Sequence, residues 1–134
     1  MIKLITGKKG TGKTKILIDM INDSVKTTTG SLVCIEKGET IRRSISYKVR
    51  WCDTEQFGIN GYEAFYGFLA GMLAGNYDIK EVFVDGIFKI GGRDYNEFGA
   101  MLEKIDKLAE DTTVVFTVSA DEAELSENVK QFIK

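Results

Sequence analysis

The sequence predicts an α/β fold: a three-layer α/β/α sandwich on a mainly parallel five-stranded sheet, with residues 1–134 forming a single domain. Three observations carry this. Apolar runs at residues 1–6, 31–35, 81–85 and 112–119 have the length and composition of buried strands. The segments between them place apolar residues at helical rather than alternating spacing. Strand and helix patterns also take turns along the chain, which favours crossover helices and parallel pairing over hairpins.

In chain order, residues 1–6 read as a buried strand, and Ile16, Leu17, Met20 and Ile21 mark the inner face of the helix that follows a glycine-rich turn. That helix ends near Thr27-Thr28-Thr29-Gly30, and residues 31–35 form the second buried strand. Ile45, Tyr47, Val49 and Trp51 then alternate with Ser46, Lys48, Arg50 and Cys52, the period of an edge strand with one wet face. Asn60-Gly61-Tyr62-Glu63 resembles a capping box opening a helix that carries Phe65, Phe68, Leu69, Met72 and Leu73. Gly67, Gly71 and Gly75 recur along it every four residues. Each interior glycine costs a helix about 1 kcal/mol relative to alanine, so the spacing predicts a backbone held close to the sheet or to another helix. A docking face for a partner is the alternative. Residues 81–85 end a strand in an acid, and Asp94-Tyr95-Asn96-Glu97 is a second capping box. It opens an amphipathic helix with Phe98, Met101, Leu102, Ile105 and Leu108 inside. After the strand at 112–119, Leu125, Val129, Phe132 and Ile133 suggest a short closing helix capped at Ser126.

Composition removes several chemistries. The chain has no histidine, which excludes the usual zinc sites and Ser-His-Asp triads. A net charge of −2 argues against wholesale wrapping of nucleic acid. The charge is uneven, however: residues 1–50 hold 11 Lys and Arg against 4 Asp and Glu, and the rest of the chain 7 against 16. Met1 opens directly on a strand pattern without a basic leader, and the most apolar stretch, residues 64–74, is too short to cross a bilayer. Two thiols, Cys34 and Cys52, suit a reducing compartment, so a cytoplasmic protein with no membrane partner is expected.

The chemistry concentrates in Gly7-Lys8-Lys9-Gly10-Thr11-Gly12-Lys13-Thr14, which fits G-x-x-x-x-G-K-[ST] between a strand and a helix. Glycines let backbone N–H groups turn inward around a phosphate, and the helix that follows points the positive end of its dipole at it. Lys13 is then expected to reach the terminal phosphates of a nucleotide, and the Thr14 hydroxyl to ligate magnesium. Val82-Phe83-Val84-Asp85 adds an apolar strand ending in an acid, a second magnesium candidate.

These two stretches resemble the P-loop NTPase superfamily, as its Walker A and Walker B motifs. Within it the chain looks most like a minimal RecA-like ATPase core. Asp85 is followed by Gly86 rather than by glutamate, Glu36 and Glu39 follow the second strand, and Thr117 or Ser119 stands where a polar sensor is expected. The resemblance implies ATP and Mg2+ as cofactors, with residues 7–14 holding phosphate and Thr14 and Asp85 the metal. It also implies Lys13, Asp85 and a strand-end glutamate, Glu36 foremost, as catalytic groups. The missing transition-state cation is expected from a protein partner or a neighbouring copy, since RecA-like ATPases often assemble, and Arg93 is a candidate to be supplied in trans. The chain is also similar to small single-domain bacterial ATP-binding proteins sometimes labelled by analogy with twitching-motility ATPases. The larger motors carry a further domain and histidine-containing boxes, neither of which this sequence has.

Two other functions compete. A small-molecule or nucleoside kinase would use Asp85 as base, but the chain shows no Arg-rich lid segment. Strand order separates the two: in RecA-like folds the 112–119 strand lies between the 1–6 and 81–85 strands, whereas in the kinase branch the latter two are neighbours. A nucleic-acid-linked module would use Arg42, Arg43, Lys48 and Arg50 beside Tyr47 and Trp51. The alternation places those aromatics on the face opposite Lys48 and Arg50, which disfavours it. No Asn-Lys-x-Asp guanine motif is present.

Overall fold

Runs of Val, Ile and Phe without alternating polar positions are stable as strands only when both faces are covered. The chain satisfies this with helices on each side of a five-stranded sheet in which every pairing is parallel. A computed structural model describes residues 1–133. Its strands are β1 (Ile2–Gly7), β2 (Ser31–Glu36), β3 (Arg50–Asp53), β4 (Ile79–Asp85) and β5 (Thr113–Ser119). They run in the order β1-β5-β4-β2-β3, so β5 lies between β1 and β4. The helices are α1 (Lys13–Thr27), α2 (Tyr62–Gly75), α3 (Ile87–Gly91), α4 (Tyr95–Leu108) and α5 (Glu127–Lys130).

Strand alternation divides the core in two. Leu32, Cys34, Phe83 and Val115 face α1, where Leu17 and Ile21 cover them. Val33, Ile35, Val82, Val84, Val114 and Phe116 face the other way. There Phe65 of α2 and Phe98 of α4 pack on Phe116, with centroids 6.2 and 5.9 Å from its ring. At the start of α4, the Asp94 side chain accepts from the Glu97 amide at 3.0 Å, as its capping pattern predicts.

Four sequence-based expectations change. The first strand, expected to be buried over residues 1–6, is the edge strand β1, in which Ile2 alone is fully buried, because it has β5 on one side and no strand on the other. The alternating segment 45–52 is a strand only over β3; Arg42–Ser44 is a 3-10 turn and residues 45–49 are irregular. The backbone groups that a partner strand would take there are taken by a side chain: Asn22 of α1 donates to the Ser44 carbonyl and accepts from the Ser46 amide, both at 3.0 Å. Helix α2 starts one residue later than its capping pattern suggests, with Gly61 as N-cap and no side-chain cap. Gly67, Gly71 and Gly75 face outward with open space where a Cβ would stand, so close backbone packing is not their role.

Cys34 gives the core a pH dependence. Burial pushes its thiol well above the ordinary value, with the Glu36 and Asp85 carboxylates and the Cys52 thiol adding to the shift. The native chain therefore keeps a proton that the unfolded chain gives up above a pH of about 8.5. With more protons bound in the native state, stability falls as pH rises past that value. The urea midpoint is expected to drop between a pH of about 8 and about 10, and to drop less in Cys34→Ala. Equal slopes in the two proteins would show that the thiol titrates normally. Among the described residues no helix is long and apolar enough to cross a membrane.

Candidate functional site

The same alternation that aims Cys34, Phe83 and Val115 at α1 carries on to the strand ends, where the next residues on that face are Glu36, Asp85, Thr117 and Ser119. The carboxyl edge of the sheet thus presents acids and hydroxyls to the beginning of α1. Asp85, 9% exposed, accepts from the Thr117 hydroxyl at 2.9 Å and from the Thr14 hydroxyl at 3.2 Å. The Thr117 oxygen in turn accepts from the Gly86 amide at 2.7 Å. These contacts fix the carboxylate between the last strand and the first turn of α1.

The loop between β1 and α1 is curled by its own hydrogen bonds. Gly10 and Gly12 hold φ values of 84° and 85°, left-handed conformations that side chains with a Cβ rarely adopt. The Lys8 carbonyl accepts from the Thr11 hydroxyl at 2.7 Å and from the Lys13 ammonium at 2.8 Å. Lys13 is 7% exposed; burial holds its pKa below the ordinary lysine value, and the Asp85 carboxylate opposes that shift. Helix α1 begins with no side-chain cap and no acid in its first turn, yet has Lys13 and Lys15 there. Cations at an N-terminus oppose the helix macrodipole. A bound anion would reverse that conflict.

A cleft of about 490 Å3 opens over this group, within the range of small-molecule sites. Lys9, Gly10, Gly12, Lys13 and Thr14 line it together with Asp85. Of the other loop residues singled out in the sequence, Thr11 is turned onto the Lys8 carbonyl, the Lys8 ammonium lies 3.4 Å from Asp121, and the Gly7 amide donates to the Ala120 carbonyl. Two more cations line the cleft. Lys89 was not singled out, because the five-residue α3 is too short to show a period. Arg93, considered as a group supplied to another copy, lies on the rim of its own chain's cleft, 3.2 Å from the Ser119 carbonyl and over the Phe88 ring at 5.2 Å.

Glu36 stands beside Asp85 in strand register but does not line the cleft. Its carboxylate, 2% exposed, accepts from the Thr40 and Ile41 amides at 3.0 Å each and from the Trp51 indole N–H at 2.8 Å. Three donors turn it toward the loop after β2 and away from the cleft, where the strand-end glutamate was expected to position water. Glu39 is exposed and 3.7 Å from Arg42. Among the described residues Asp85 is the one carboxylate lining the cleft, and no cluster of three or more metal-binding side chains occurs. Magnesium needs no such cluster, since it is usually held by one or two carboxylates plus phosphate oxygens. A scan against protein-family profiles and a search of curated proteins found no match for the chain.

Proposed function

We propose that the chain binds a magnesium nucleoside triphosphate, ATP foremost, as a P-loop protein of RecA-like type with slow hydrolysis. The observation that carries this reading is the meeting of Thr14 and Asp85, 71 residues apart, with hydroxyl and carboxylate at 3.2 Å beside an uncapped helix start. The amides of the 7–14 loop and the Lys13 ammonium would hold the phosphates, and Thr14 and Asp85 the metal and its waters. Bound Mg2+ would neutralise charge on the phosphate oxygens. The position of β5 between β1 and β4 supports the RecA-like reading over a kinase. With Glu36 committed to three donors, no second carboxylate among the described residues lines the cleft to orient water, which is why slow turnover is expected. Lys89 and Arg93 offer transition-state cations from the same chain, so a neighbouring copy is not required.

A nucleotide panel in calorimetry, with Mg2+ and with EDTA, tests the reading. Mg-ATP is expected to bind with micromolar affinity, and phosphate release to stay below about 1 per second, under the usual enzyme range. No heat with any triphosphate at millimolar concentration would reject it.

A further inference from the structure

A second cleft, of about 470 Å3, shares no lining residue with the first and lies beside the edge strand β3. Glu39, Arg42, Arg43, Tyr47 and Trp51 line it. Residues 41–52 contain Arg42, Arg43, Lys48 and Arg50 and no carboxylate. The alternation read in the sequence survives only over β3, and of these cations Arg42 and Arg43 line the cleft while Lys48 and Arg50 do not. The chain turns at Arg42–Ser44 and stays irregular to residue 49, which brings both arginines, Tyr47 and Trp51 to one cavity.

The cavity is built rather than loose. Ile41 and Val49 are buried under α1, and Asn22 holds the backbone at Ser44 and Ser46. The Trp51 indole is fixed by its bond to Glu36, and the Arg42 guanidinium lies 4.5 Å over its ring. Tyr47, by contrast, is 92% exposed, an aromatic ring left in water on the same cavity as the exposed Arg43. Aromatic faces next to a track of cations are the means by which proteins hold single-stranded nucleic acid, with bases stacked on rings and phosphates on the cations.

We propose that this cleft binds single-stranded nucleic acid without strong sequence preference, a base stacking on Tyr47 and a backbone phosphate held by Arg43. Among the described residues the one carboxylate in the lining, Glu39, lies 3.7 Å from Arg42, which tempers its repulsion of a phosphate. This site does not depend on the nucleotide reading of the first cleft.

Trp51 is the single tryptophan of the chain, so its fluorescence reports directly on this cleft. Oligo(dT) and oligo(rU) of about 15 nucleotides, a length that covers typical single-strand sites, are titrated into the intact protein at about 50 mM salt. Expected are quenching of Trp51, a matching rise in the anisotropy of labelled strand, and binding that weakens steadily with added salt. Tyr47→Ala and Arg43→Ala alter exposed side chains, and each is expected to weaken binding about fivefold or more. Four outcomes overturn the proposal: no signal at about 100 µM strand; affinity unchanged in both variants; a duplex that binds as tightly as the single strand; or binding lost in Lys13→Ala but kept in Tyr47→Ala, which would put the strand in the first cleft.

Discussion

Replacing Lys13 with alanine is expected to lower the affinity for Mg-ATP at least tenfold in calorimetry, a loss of about 1.4 kcal/mol or more. The ammonium is largely shielded from water and already engaged by the Lys8 carbonyl at 2.8 Å, so it is presented to the cleft instead of being drawn from a mobile surface chain. Charge-assisted contacts to phosphate exceed neutral ones about twofold, and shielding strengthens them further. Loop collapse is the competing explanation for such a loss. It is countered by Thr11, whose hydroxyl still donates to the same carbonyl at 2.7 Å after the substitution. Circular dichroism and the melting temperature should therefore change little. Asp85→Asn tests the metal separately. The asparagine can keep its contacts with Thr14 and Thr117, because each hydroxyl both donates and accepts. Its charge is gone, so the difference between binding in Mg2+ and in EDTA should largely disappear. Normal affinity in Lys13→Ala would reject the phosphate site outright.

The sheet was legible because its central strands have no other stable environment. Runs such as Val82-Phe83-Val84 and the Val, Phe and Thr sequence of β5 must be covered on both faces, and only a sheet between helices does this. That Asp85 and the 7–14 loop lie at the carboxyl ends of strands was legible because both motifs are local and each follows a strand that the fold requires. What failed to read depended on distant partners. Residues 45–51 alternate in sequence as a strand does, yet Val49 is buried and Tyr47, two residues before it, is exposed, and Asn22 of α1 occupies the backbone groups of Ser44 and Ser46. Three glycines at every fourth residue of α2 are equally compatible with a contact stripe and an outward one, and apolar side chains on most sides of that helix hide which face is buried. Helix α3 spans about one turn between glycines, too little for any period.

Glu36 is the residue whose presence was legible and whose surroundings were not, and Glu36→Gln is expected to destabilise the fold by about 2–3 kcal/mol. The two carboxylate oxygens accept from the Thr40 amide, the Ile41 amide and the Trp51 indole, all donors. An amide offers one oxygen and one NH2 in their place, so at least one of the three N–H groups faces another donor in a site that is 2% exposed. A buried unpaired donor costs about 1–3 kcal/mol, and the substitution also removes charge assistance from the remaining bonds. For a domain of this length the loss corresponds to a melting temperature lower by about 10 °C. Trp51 fluorescence should shift as well, since the indole loses its partner and Arg42 rides on the same ring. Phosphate release below the melting range separates this from chemistry. A variant that melts early but turns over at the parent rate confirms Glu36 as the anchor of the loop after β2. A variant that melts normally and no longer turns over would return water activation to Glu36, and would mean that its three donors release it when nucleotide binds.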